Sequence, residues 1–162
     1  MSAIVLLDTS IYLNILDIPG RNQDRKQVEK EFKEKIKSGD HILLPLMTII
    51  ETGNHIVRLL DGNQRRKYAE KMKDNVIKAL NGDTPYKATK CLQKEDLMRW
   101  LVDFPNRVNQ FLGDAEDKDR AGFSDFTIFK EWEQMCEIHP MSRVLIWSLD
   151  GHLKGYDRDP SR

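Results

Sequence analysis

Short continuous apolar runs alternate along the chain with longer stretches in which apolar residues recur every three or four positions. Ala3–Leu7 (Ala-Ile-Val-Leu-Leu), His41–Pro45 (His-Ile-Leu-Leu-Pro) and Arg143–Leu149 are runs of the first kind. They predict strands buried on both faces of a parallel sheet. Between the first two, Asp8-Thr9-Ser10 supplies capping chemistry for a short apolar helix from about Ile11 to Leu16. Pro19-Gly20 breaks the chain, and Asn22–Lys37 predicts a charged amphipathic helix with Val28, Phe32 and Ile36 one turn apart. Thr48 opens a helix running through Glu51, His55 and Leu59, which Asp61-Gly62-Asn63 ends. Gln64–Leu80 predicts a basic helix, Asn81–Pro85 a loop, and Lys90–Val102 and Pro105–Leu112 two further helices. Gly113–Ala121 reads as an acidic loop. Ser124–Glu137 reads as a helix with Phe126, Phe129, Trp132 and Met135 on or near one face. Strands alternating with helices predict an α/β fold with a central parallel sheet. Residues 1–162 form a single domain in this reading, with a helical insertion at about 62–120 and little room after Asp150 for a final strand.

Composition narrows the class without changing it. A chain of 162 residues buries enough surface to need no disulfide staple. No apolar run is long enough to span a membrane. The opening apolar run lacks a basic flank and is too short for a secretory leader. Cys91 and Cys136 show no CxxC pattern, and both read as reduced core residues. The expected setting is cytoplasmic. The zero net charge hides an uneven distribution, since residues 52–94 hold 10 basic and 4 acidic side chains while residues 95–125 hold 4 and 8.

Four carboxylates fall at comparable places in the predicted fold. Asp8 follows the first strand, Glu51 lies one turn into the helix after the second, Asp125 opens the helix after the acidic loop, and Asp150 follows the last strand. Each has an ordinary structural explanation taken singly. Asp8 suits a helix cap, Thr48-x-x-Glu51 matches a capping box, Ser124-Asp125 suits an N-cap with a first-turn acid, and Asp150-Gly151 is a common turn pair. Their shared destination weighs against four coincidences, because the carboxyl ends of parallel strands and the helix N-termini meet at one rim. Carboxylates crowded in one cleft call for protonation or a divalent cation. Ligands that are all oxygen suit Mg²⁺ or Mn²⁺, which polarise a phosphodiester and activate water.

At these residues the sequence resembles the PIN domain family. The resemblance rests on Leu6-Leu7-Asp8-Thr9-Ser10, Glu51 after an Ile-Leu-Leu-Pro strand, Ser124-Asp125-Phe126-Thr127-Ile128, and Ser148-Leu149-Asp150 after Val-Leu-Ile-Trp. It covers about residues 3–18, 40–60, 121–136 and 143–156 and leaves the middle of the chain outside. It implies a three-layer α/β sandwich and a Mg²⁺- or Mn²⁺-dependent endoribonuclease leaving 5′-phosphate and 3′-hydroxyl ends. By the same resemblance Asp8, Asp125 and Asp150 are metal ligands and Glu51 completes the catalytic quartet, as ligand or as orienter of the attacking water. Thr9, Ser10 and Ser148 match hydroxyl residues that fix carboxylate rotamers. Small prokaryotic members are commonly homodimeric toxins of toxin–antitoxin pairs, so an antitoxin protein and a second copy of the chain are the partners implied besides RNA. The alternative within the family is a non-catalytic domain that binds RNA or protein; the presence of all four acids counts against it. A different Mg²⁺-dependent enzyme, a phosphatase or a DNA nuclease, is the rival outside the family. An aspartyl-phosphate phosphatase is disfavoured because Asp8-Thr9-Ser10 replaces the Asp-x-Asp it requires.

The remaining chemistry-bearing residues carry weaker signals. Arg65, Arg66, Lys67 and Lys71, with Tyr68 interleaved and Lys73 and Lys78 beyond, form a candidate RNA-backbone surface, with a solvated helix face as the plainer explanation. Asn54 and His55 share a helix face with Glu51 and read as core or rim residues. His152 reads as a loop residue. His41 and His139 have no zinc-ligand spacing with either cysteine. Phe126, Phe129, Trp132 and Trp147 are assigned to packing.

Overall fold

The computed structural model describes residues 2–112 and 122–162, so the expected acidic loop Gly113–Ala121 lies outside the described residues. In chain order the elements are β1 (Ile4–Leu7), α1 (Thr9–Ile15), α2 (Arg25–Lys37), β2 (His41–Leu44), α3 (Leu46–Val57), α4 (Gly62–Asn81), β3 (Tyr86–Ala88) and α5 (Lys94–Arg107). A 3-10 turn (Val108–Phe111), α6 (Phe123–Ile138), β4 (Val144–Trp147), α7 (Gly151–Lys154) and β5 (Asp157–Arg158) follow. The sheet order is β3-β2-β1-β4-β5. The first four strands run parallel and β5 pairs antiparallel with β4, placing Val144 opposite Arg158.

Alternation along the strands assigns the two faces. Val5, Leu7, Ile42, Leu44 and Trp147 pack with Ile11, Tyr12, Val28, Ile56 and Ala79 of α1–α4. Ile4, Leu6 and Val144 pack with Trp132, Met135 and Cys136 of α6. A sheet buried on both faces needs continuous apolar strands, which is why β1 reads Ile-Val-Leu-Leu with every residue buried. Beside α6, Phe104 of α5 and Phe111 sit against Phe126 and Phe129. Helix α4 is tied to the first face by a polar clasp, in which the hydroxyls of Tyr12 and Tyr86 each donate to Asn75 Oδ1 at 2.6 Å. No helix among the described residues is long and apolar enough to cross a membrane.

Several sequence expectations are corrected. The sheet is mixed rather than wholly parallel, because β5 forms in the short stretch after Asp150, with Arg143 and Asp157 bridging its end at 2.6 Å. The middle of the chain is not only helical: β3 joins the sheet beside β2. The helix expected from Lys90 begins at Lys94, and α5 continues through Pro105 before tightening into the 3-10 turn. Pro105 removes one hydrogen bond of the helix and crowds the carbonyl four residues before it, and only two residues of α5 follow. Asp61 does not merely break the chain but caps α4, accepting from Gln64 N at 2.8 Å. Cys136 is buried, whereas Cys91 is exposed and not a core residue.

Candidate metal centre

The strand order reverses at β1, with β2 on one side and β4 on the other. Parallel sheets bind ligands outside the carboxyl ends of their strands at such a switch point. Asp8 directly follows β1 and Ser148 directly follows β4, and Ser148 Oγ donates to Asp8 Oδ2 at 2.8 Å across the gap. Ser10 Oγ donates to the same oxygen at 2.7 Å. Each hydroxyl also accepts a backbone N–H from the chain leaving β4, Ser148 from Asp150 at 2.9 Å and Ser10 from Leu149 at 3.0 Å. The two serines therefore fix the Asp8 rotamer and stitch the two strand ends together. The Ser10 N–H approaches Asp8 Oδ2 at 3.3 Å, so the cap expected of Asp8 is present as well.

Glu51 does not form the expected capping box. Helix α3 begins earlier, after Pro45, and Thr48 spends its hydroxyl on the Leu7 carbonyl at 2.7 Å. Released from capping, the half-buried Glu51 carboxylate accepts from Thr9 Oγ1 at 2.6 Å and from Ser124 Oγ. Ser124 is likewise not the cap of α6, which starts at Phe123 after Gly122. It joins α6 to α3 through Glu51, a role its sequence context did not reveal.

Asp125, in the first turn of α6, is buried with Oδ2 lacking any hydrogen-bond partner among the described residues. One oxygen each of Asp8, Glu51 and Asp125 lie within 4.8 Å of one another. Asp150 lines the same cleft but stands outside that group; it caps α7, accepting from His152 N at 3.0 Å. Burial, then the charges of Asp8, Glu51 and Asp150, push the Asp125 carboxyl up to about 8. Burial also raises Asp8, against hydrogen bonds from Ser10 and Ser148 that hold it down. Such a cluster of oxygen donors, one of them buried and without a partner, could hold a metal ion. Among the described residues no His or Cys joins it.

The cluster opens into a cleft of about 400 Å³. Its wall includes Asn14, whose Nδ2 donates to Ser10 O at 2.8 Å and whose buried Oδ1 has no partner among the described residues. Arg21, from the loop before α2, lines it too, as does His55. Sequence reasoning passed over Asn14 and Arg21. Asn14 carried a signal, being the one amide side chain within the Ile11–Leu16 run.

The expected RNA-binding residues separate into different roles. Arg65 donates to the carbonyls of Leu59 at 2.5 Å and Leu60 at 3.0 Å, closing the end of the preceding turn. Tyr68 is half-buried and packs against the core below the sheet. The ammonium groups of Lys67 and Lys71 lie 5.3 and 5.8 Å from its ring centre. Lys73 is paired with Glu70 and Asp74. Arg66 is exposed. Asn54, His41, His139 and His152 are exposed as well, and Trp147 is buried with its indole N–H donating to Glu31 at 2.8 Å.

Comparison with protein-family models, curated proteins and solved structures finds no match.

Proposed function

We propose that the protein is a Mg²⁺- or Mn²⁺-dependent endoribonuclease of PIN-like architecture, with the acidic cleft as its active site. The observation that carries this reading is the Asp8–Glu51–Asp125 cluster, whose ligand oxygens lie within 4.8 Å and whose Asp125 Oδ2 is buried without a partner. When ionised, these carboxylates repel one another, by roughly 3 kcal/mol per pair at an effective dielectric near 20. A divalent cation held by all three relieves that repulsion. When bound, it polarises the phosphodiester and makes the attacking water a better nucleophile.

The chain's own residues then have distinct tasks. Ser10 and Ser148 hold Asp8 in one rotamer, and Thr9 and Ser124 hold Glu51. Pre-set carboxylates need no reorganisation when the substrate enters. Asp150 stands at the rim and contributes negative charge rather than a ligand atom in this arrangement. In the hydrolysis the water oxygen bonds to phosphorus and the P–O3′ bond breaks. The leaving 3′ oxygen takes up a proton, giving the 5′-phosphate and 3′-hydroxyl ends that the family resemblance implies. A toxin role with an antitoxin partner extends the same proposal.

The test is cleavage of end-labelled RNA by the purified protein with Mg²⁺, Mn²⁺ or chelator, beside single-stranded DNA and the Asp8→Asn and Asp125→Asn variants. Cutting of RNA that needs the cation and is abolished in both variants is the expected result. Cation-independent cutting, or near-full activity in either variant, overturns the assignment. Binding of RNA without cutting under every condition supports the non-catalytic alternative instead.

A further inference from the structure

Arg21 is the one lysine or arginine among the described residues that line the acidic cleft. It follows Pro19-Gly20, where Gly20 takes φ +77, a turn that carries the chain back along the rim. Arg21 is exposed and makes no ion pair among the described residues. Five carboxylates, Asp8, Asp24, Glu51, Asp125 and Asp150, line the same cleft, yet none of them draws Arg21 into a salt bridge, which leaves it available to an incoming anion.

Beyond it the next cation, Arg25, is already paired with Glu29 at 2.9 Å, and Lys67 and Lys71, unpaired among the described residues, lie further on. Arg25, one turn further on, is anchored by its guanidinium to the carbonyls of Asn14 and Ile15 at 3.0 and 3.4 Å, and Asn14 itself lines the cleft. Asp17 lies 3.6 Å from Arg25, and both it and Arg25 sit within electrostatic reach of Lys71. Lys67 lies beside Lys71 and shares the Tyr68 ring with it. Tyr68, packed against the core, thus serves as a fixed platform beneath two exposed lysines. Arg65 and Lys73, on the same helix, are occupied by backbone carbonyls and by acidic neighbours.

We propose that Arg21, Lys67 and Lys71 form a phosphate-binding arm that holds the backbone of a polynucleotide strand leading into the acidic cleft. The proposal rests on the nuclease reading for its direction but not for its test. An acidic site repels a polyanion, and cations flanking it restore attraction without neutralising the cation-binding carboxylates. Contacts of this kind position the strand and carry no sequence preference.

The test measures binding of a short fluorescein-labelled oligouridylate by fluorescence anisotropy, with chelator present and across a salt series, so that no cleavage is involved. Arg21→Ala is expected to weaken binding roughly three- to ten-fold and to flatten the log–log salt slope by about 0.7, the value for one phosphate contact to a single strand. The double variant Lys67→Ala/Lys71→Ala is expected to flatten it by about twice that. Lys73→Ala, on the same helix but paired, is expected to bind as the wild type does. Unchanged affinity and slope in the first two variants, or equal loss in Lys73→Ala, overturns the proposal. So does binding of polyglutamate as tight as that of the oligouridylate and lost in the same two variants, since the arm would then belong to an acidic protein partner. Salt-dependent binding by a protein that never cleaves leaves the arm standing and removes the nuclease reading; cleavage without these binding losses does the reverse.

Discussion

Asp125 is the residue on which the site turns. It is 4% exposed, its carboxyl is pushed up to about 8, and the causes in order are burial, Asp8, Glu51 and Asp150. Asp125→Asn keeps the shape and removes the ionisable oxygen. In the absence of cation this variant is expected to melt several degrees higher than the wild type at about pH 8 and to match it at about pH 5, where the wild-type side chain is already neutral. The same variant is expected to lose stabilisation by Mn²⁺, so thermal melts with and without the ion check both statements. Ser148 is the second test at this scale. Its hydroxyl donates to Asp8 and accepts from Asp150 N, and it is buried. Ser148→Ala strands one acceptor and one donor, at about 1–3 kcal/mol of stability. A ten- to hundred-fold loss of cleavage is expected with the fold intact, as for other outer-shell partners of metal ligands. Activity and circular dichroism measured on one preparation separate loss of the site from loss of the fold.

The elements show which features were legible beforehand and why. Strands β1, β2 and β4 were readable because a strand covered on both faces must be apolar throughout, and Ile4–Leu7 and Val144–Trp147 are. Asp8, Glu51 and Asp125 were readable as neighbours because element order brings the end of β1 and the early turns of α3 and α6 to one rim, whereas Asp150 lines the cleft but stands outside the cluster. β3 was not readable. Tyr86-Lys87-Ala88 follows a proline and contains a lysine, and it becomes a strand only through pairing with Ile42–Leu44 and burial of Tyr86. The capping-box reading of Glu51 failed for a related reason: a local motif predicts a local bond, but the Thr48 hydroxyl finds the Leu7 carbonyl from a distant strand. Cys91 was misassigned because composition alone does not tell a loop thiol from a core one. The Tyr12–Asn75–Tyr86 clasp was invisible for the same reason as β3, since its members are far apart in sequence and meet only in the folded chain. Asn75→Ala leaves two tyrosine hydroxyls, both on buried residues, without their acceptor. A loss of about 2–4 kcal/mol is expected, read by urea denaturation, with the Asp8 cluster unaffected in its Mn²⁺ response at temperatures below the melt.

At the scale of the whole molecule the acids divide into two groups that act in different pH windows. Asp17, Asp103, Asp157 and Asp159 are held below the ordinary carboxylate range by hydrogen bonds from neighbouring side chains. Their contribution is present above about pH 4 and disappears only as pH falls below it. Asp8 and Asp125 go the other way, since the folded state holds their protons more tightly than the unfolded chain does. A raised acid stabilises the fold fully below its unfolded value of 3.8 and loses that contribution as pH climbs to the folded value, about 8 for Asp125. Glu131, on the other side of α6, is raised by burial to about 7 and adds to the same slope. The cation-free protein is therefore expected to lose stability steadily from about pH 5 to about pH 8, the reverse of the trend set by paired surface acids. A divalent cation competes with protons for Asp8 and Asp125 but not for Glu131, so it should reverse only part of the decline. At roughly a hundred times its dissociation constant, Mn²⁺ adds about 2.7 kcal/mol, or about 5–10 °C in a chain this size. That gain should be largest near pH 8 and small near pH 5, where protons hold the site. Calorimetric melts across this range, with chelator and with Mn²⁺, decide the matter. A gain equal at both ends of the range would mean that the ion binds away from the raised carboxylates, and no gain at any pH would remove the cation from the cleft.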